Sequence, residues 1–381
     1  MENSNLSRLE RRSAFLRKIG VDEALLSEML SYCDPLIADG VEIAVTDSPP
    51  EDEPFAEAWE KYVLEAEKEG AWAVLSRYLM QLSFPIDASI AESAEYAAAT
   101  RRGVRPLAPV HPPMNDPDGM SICLHPSVAG RIPVISIADR RDFVTIVQAL
   151  LRKNRPDPIP DSMGASMVAG YTNWERIERY RKAWEEKNPF GDWNAAFKEL
   201  AQQKPLYQDR FILLSGGDYS GIPAGAAGVA ESEWKQISIN LRREHECVHY
   251  FTRRVLGSMR NSLLDELVAD AMAVRAVAGH LREDWLALFF GIEDWPSYRE
   301  GGRLENYVPA NLEGCFEILT RMMHEAIANV VAAEKAAPAS ISELVFIRAL
   351  CSCGLDELAR PDGSQLLQSA ASRIDPKKSS L

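Results

Sequence analysis

Within the 381 residues of the chain, His245-Glu246-Cys247-Val248-His249 is the stretch best equipped for chemistry. Residues four apart share one face of an α-helix, so imidazoles at 245 and 249 can aim two nitrogens at a single metal ion. Glu246 sits about a hundred degrees further round the helix. There it can take a proton from a metal-activated water without being a ligand itself. A catalytic zinc site has three protein ligands and one open position. The third ligand must be an acceptor on another element, and Glu266 fits that need. Asp270 lies four residues further on. It can accept a hydrogen bond from the far nitrogen of a ligand imidazole and so fix its tautomer. Asp265 is the fallback third ligand, although its position is better suited to capping a helix.

Two helices have to position these groups. The first is expected from about Glu231 to Leu256, with an inward seam of Trp234, Ile237, Leu241, His245, Val248 and Thr252 or Val255. Gly257 is placed to end it as the residue just past the cap. After the turn 257–261, Ser262 can cap a second helix, with Asp265 completing a capping box. Glu266 lies about one turn into that helix and His249 about two turns from the end of its own. Folding one helix back on the other therefore brings the two residues level. Two plainer readings compete. One is a structural helix whose histidines are satisfied by acidic neighbours. The other is the E-x-x-H unit of di-iron bundles, which needs a second copy; Glu246-x-x-His249 has none elsewhere in the chain.

His245-Glu246-x-x-His249 with Glu266 and Asp270 resembles the gluzincin branch of the zincin metallohydrolases. The resemblance spans about residues 208–275, with a linker of 16 residues between His249 and Glu266 that is shorter than the thermolysin-like one. The run from His245 to Thr252 is also similar to a bacterial family with no assigned function. The gluzincin resemblance implies Zn²⁺ held by His245, His249 and Glu266, Asp270 supporting a ligand histidine, and Glu246 as general base. Arg210–Ser215 is similar to the edge strand with which such enzymes align an extended substrate. The implied function is that of a zinc-dependent metallohydrolase, a metallopeptidase acting on a peptide or small amide-like substrate. Non-proteolytic zinc chemistry on a small metabolite is the alternative, and a non-catalytic helical interaction protein is a third reading. Stabilising a tetrahedral oxyanion needs a further donor. Arg303 and Tyr307 are the candidates, with His324 another, and each also has a structural explanation.

The elements around this centre give an α+β, mostly helical expectation: a zincin-like core with a small sheet next to the motif helix and a second ligand-bearing helix. Residues 1–105 read as a mainly helical N-terminal region, 106–335 as the metal-binding catalytic region, and 336–381 as a C-terminal helix with a flexible tail from Ser369. Val41–Val45, Ile132–Ile137 and Arg210–Ser215 read as strands. The proline-rich stretch 101–131 reads as loop, with His111 and His125 as surface residues. Asp161–Gly170 reads as a flexible run of small residues.

A net charge of −14 argues against nucleic-acid and anionic-membrane partners. No apolar run is long enough to span a bilayer, and the N-terminal stretch lacks the apolar core of a secretory signal. Six scattered cysteines show no disulfide framework, Cys247 reading as a packing residue, so a cytoplasmic location with reduced thiols is expected. Nothing in the sequence sets an oligomeric state.

Overall fold

The computed structural model describes residues 7–38, 48–258, 260–338 and 341–374. The strand expected at Val41–Val45 lies outside them. The described chain is mostly helical with one small sheet, an α+β fold. It divides into two compact units, one of residues 1–49 and 222–381, the other of residues 50–221. This grouping cuts the chain at places other than the expected 105/106 and 335/336. The first helices, Arg8–Lys18 and Leu26–Tyr32, fall in the same unit as the motif.

The unit of residues 50–221 holds every described strand: β1 (Met120–His125), β2 (Ile132–Ile137), β3 (Ala165–Thr172) and β4 (Gln208–Ser215), in the order β1-β2-β4-β3. β2 runs parallel to β4, and the outer pairs are antiparallel. Three expectations are corrected here. β4, read as an edge strand, is interior and hydrogen-bonded to β2 on one side and β3 on the other. Its fully apolar core, Phe211–Leu214, is what a strand covered on both faces requires. The small residues of 161–170 build the start of β3 and a bulge between Ala169 and Tyr171, where Gly170 takes a positive φ. β1 lies inside the proline-rich stretch expected to be loop, because its six residues fall between Pro117 and Pro126 and contain no proline.

The other unit packs helices on helices. The motif helix, Glu231–Val255, runs antiparallel into the expected ligand helix, Leu263–Ala278, which is buried along nearly its whole length. Around them stand Glu283–Phe290, Phe316–Ala336, Glu343–Ser352 and Gly363–Ile374. The last of these is helical to Ile374, well past the Ser369 at which a flexible tail was expected. Trp234 and Trp285 meet edge to face at 5.7 Å in the core, and each indole N–H is satisfied, by the carbonyls of Ile222 and Ala227 respectively.

Candidate metal centre

The motif helix buries the seam expected of it: Trp234, Leu241, His245, Val248 and Thr252 are all buried, with Ile237 and Val255 partly so. The helix ends where Gly257 adopts a φ of +64°, a backbone state that glycine enters without steric cost. The ligand helix begins at a capping box. Ser262 Oγ accepts from the Asp265 N–H, and Asp265 Oδ2 accepts from the N–H groups of Ser262 and Arg260. Asp265 Oδ2 is thereby held by the cap, and Asp265 is not among the three residues whose donors converge.

Between the two helices three donors converge. His245 Nε2 and His249 Nε2 stand 3.0 Å apart. The Glu266 carboxylate faces both, its Oε1 3.4 Å from His249 Nε2 and its Oε2 3.5 Å from His245 Nε2. All three residues are buried. Tetrahedral ligands at about 2.0–2.2 Å from an ion stand about 3.3 Å from one another, and each of these three contacts is of that order. Two imidazole lone pairs that face each other repel unless a cation, proton or metal, lies between them. Glu266 Oε2 is buried with no hydrogen-bond partner, an arrangement costly for a carboxylate oxygen that nothing coordinates.

The tautomer of His245 follows from its other side. Its Nδ1–H donates to Asp270 Oδ1 at 2.8 Å, because an ionised carboxylate can only accept. Nε2 is left with its lone pair directed at the convergence point. Asp270 is fully buried, and its second oxygen accepts from Arg303 Nη2. The same guanidinium lies 4.0 Å from Glu266 Oε2 and 5.3 Å from the centre of the Phe290 ring. Arg303 therefore supplies the positive charge that lets two carboxylates remain buried side by side.

The electrostatics agree with this arrangement. Burial alone would raise the Glu266 carboxyl, but the imidazoles of His249 and His245 and the Arg303 guanidinium outweigh it and hold it well below the usual range. Burial would lower His249, yet Glu266, with help from Glu246 and Asp265, raises it. The Tyr307 phenol is pushed up by burial against the lowering effect of Arg303, with Glu266 and Asp270 also raising it. It stays protonated as a donor beside the carboxylates. Glu246 is half-buried on the same helix.

Tyr32 is a contributor that the sequence did not reveal. Its hydroxyl donates to the Tyr307 carbonyl at 2.8 Å and accepts from the Leu263 N–H at 3.1 Å. It thus ties the segment bearing Arg303 and Tyr307 to the first residue of the ligand helix. No local pattern marks a tyrosine for a contact made 231 residues away. His324 is placed elsewhere, stacked on Trp295 at 4.9 Å and 3.8 Å from Glu325. His280 is exposed beyond the end of the ligand helix, and His111 is exposed with Nδ1 2.7 Å from the Leu82 carbonyl. A cavity of about 600 Å³ bounded by Tyr32, Ser262 and Tyr307 lies beside this framework, but none of the three converging donors lines it.

The profile of the "Family of unknown function (DUF7005)" matches residues 14–362, and the chain belongs to that family. Neither a curated protein nor a solved structure matches it.

Proposed function

We propose that His245, His249 and Glu266 hold a Zn²⁺ ion and that the protein is a zinc-dependent metallohydrolase of gluzincin type with a zincin-like core. The observation that carries the reading is the convergence of two imidazole nitrogens 3.0 Å apart on the two oxygens of one buried carboxylate, at 3.4 and 3.5 Å, one of which has no hydrogen bond. The donor set, two neutral imidazoles and a carboxylate, is one that zinc accepts in hydrolytic sites. When bound, the ion supplies Lewis acidity and lowers the pKa of a water toward neutrality.

The chain's own residues supply the rest. Asp270 fixes His245 with the proton on Nδ1, and Arg303 holds Asp270 in place through its second oxygen. Glu246 accepts the proton of the attacking water on its carboxylate and returns it to the leaving group. Tyr307, protonated beside Glu266, is the donor proposed for the developing oxyanion. Six free thiols suit a reducing compartment, and a cytoplasmic location is part of the proposal.

A second reading, non-proteolytic zinc chemistry on a small amide-like metabolite, is favoured by one observation. β4, the strand expected to align an extended peptide, is paired on both sides and has no free edge. Replacing Glu246 by Gln tests the shared mechanism. Zinc content should stay at the wild-type level, while hydrolysis of a panel of fluorogenic peptides and small aryl amides falls by about a hundred-fold or more. Unchanged hydrolysis would remove Glu246 from the role of base. Comparing peptides with aryl amides on the wild-type protein separates the two substrate readings.

A further inference from the structure

The unit of residues 50–221 contains a cavity of about 700 Å³ that the metal centre does not explain. That volume is in the range of small-molecule sites. Of the fifteen residues lining it, seven are Lys or Arg and two are Glu, in a chain whose acidic residues outnumber its basic ones 56 to 42. Some of these cations are engaged: Arg179 with Glu175 and Glu57, Lys61 with Glu175 and Glu65, and Arg181 with Glu185. Arg101, Arg102 and Lys182 make no ion pair among the described residues. Arg101 and Arg102 close the last turn of the helix Ala94–Arg102, where a cation is favoured by the helix dipole. The dipole accounts for two cations at one helix end. It accounts neither for Lys182 on a different helix nor for the wall that Trp174, Trp193 and Phe197 form.

That wall is aromatic. Trp174 and Phe197 are stacked with centroids 6.3 Å apart, and Trp193 packs on Phe197 at 5.8 Å. All three are only partly buried and line the cavity, with the Arg181 guanidinium over the Trp193 ring at 5.6 Å. Trp174 is held in place twice. Its indole N–H donates to the Thr100 carbonyl at 3.0 Å, and Gly103 lies so close that a Cβ there would come within 2.4 Å of the ring. The Trp174 ring is thus positioned before any ligand arrives, which lowers the ordering cost of binding.

We infer that this cavity binds an anionic small molecule that carries a planar ring, of the nucleoside-phosphate class. The unpaired guanidiniums of Arg101 and Arg102 and the Lys182 ammonium engage phosphate oxygens, while the ring lies on Trp174, Trp193 or Phe197. Neither half suffices alone: the charge attracts any anion, and the aromatic wall accepts any ring.

Calorimetric titration of the full-length protein with ADP, adenosine and pyrophosphate, without divalent ions, tests the inference. ADP should bind in the micromolar to submillimolar range, and adenosine and pyrophosphate each at least about ten-fold more weakly. Arg101→Ser with Arg102→Ser, both exposed, should weaken ADP by about ten-fold or more, and Trp193→Leu should weaken ADP and adenosine but not pyrophosphate. Thermal unfolding of each variant confirms that it is folded. The inference is overturned if ADP shows no binding up to about 1 mM, if pyrophosphate binds as tightly as ADP, or if the folded variants bind ADP as the wild type does.

Discussion

The proposed role of His245 as a ligand rests on Asp270 and, behind it, Arg303. With Asp270 accepting from Nδ1, the His245 lone pair is fixed on Nε2; without it, the imidazole can take the other tautomer or rotate. Asp270→Ala should therefore lower zinc affinity about ten- to a hundred-fold, measured by competition with a chromogenic chelator. Unchanged affinity would show that the hydrogen bond does not orient the ring. Tyr307→Phe removes one donor and leaves the ligand set intact. It should keep full zinc content and reduce kcat by about ten-fold or more with little change in KM; an equal kcat would place the oxyanion donor elsewhere. The pH dependence has a definite sign. Burial lowers His249, but Glu266 raises it further, so its proton persists to higher pH than that of an ordinary imidazole. The metal has to displace that proton, so zinc affinity falls as pH is lowered through the His249 titration. A chelator titration repeated between pH 8 and pH 5, flat throughout, would contradict the ligand assignment of His249.

The two helices were legible because their signals are local. The seam from Trp234 to Thr252 repeats at helical spacing, Gly257 sits where a positive φ is needed, and Ser262 with Asp265 forms a box whose two hydrogen bonds lie within three residues. The same logic brought Glu266 level with His249. The interior position of β4 was not legible, because a strand's neighbours are chosen by pairing across distance and its own apolar run only shows that it is buried. β1 was masked by the prolines at its flanks. Arg303 could be named from its type, but its seat on Asp270 rests on a contact across 33 residues. The capping box gives a prediction at this scale. Ser262→Ala removes the acceptor for the Asp265 N–H and should cost about 1 kcal/mol in chemical denaturation. It should also loosen the placement of Glu266 one residue beyond Asp265. A variant as stable as the wild type would show that the cap is dispensable.

At the scale of the whole molecule, the described residues before Pro50 group with the segment from 222 onward, and the sheet-bearing segment forms the other unit. Every residue of the proposed zinc centre, Tyr32 included, belongs to the discontinuous unit. No described helix is long and apolar enough to cross a membrane. A bound ion adds its binding free energy to the stability of the part that holds it, about 4 kcal/mol when the free ion is a thousand times its dissociation constant. Chelation should therefore speed hydrogen exchange in the segments 231–255 and 263–278 and leave that of β2 and β4 unchanged, which mass spectrometry can read peptide by peptide. Equal acceleration in the sheet would mean that the effect of the centre is not confined to its own unit. The central claim is ligation itself. Its most direct measurement is the metal content of the purified full chain beside His249→Ala and Glu266→Ala, by inductively coupled plasma mass spectrometry. The account predicts about one zinc per wild-type chain and loss of it in both variants. A folded wild-type protein that takes up no zinc, or variants that retain it in full, would contradict the account.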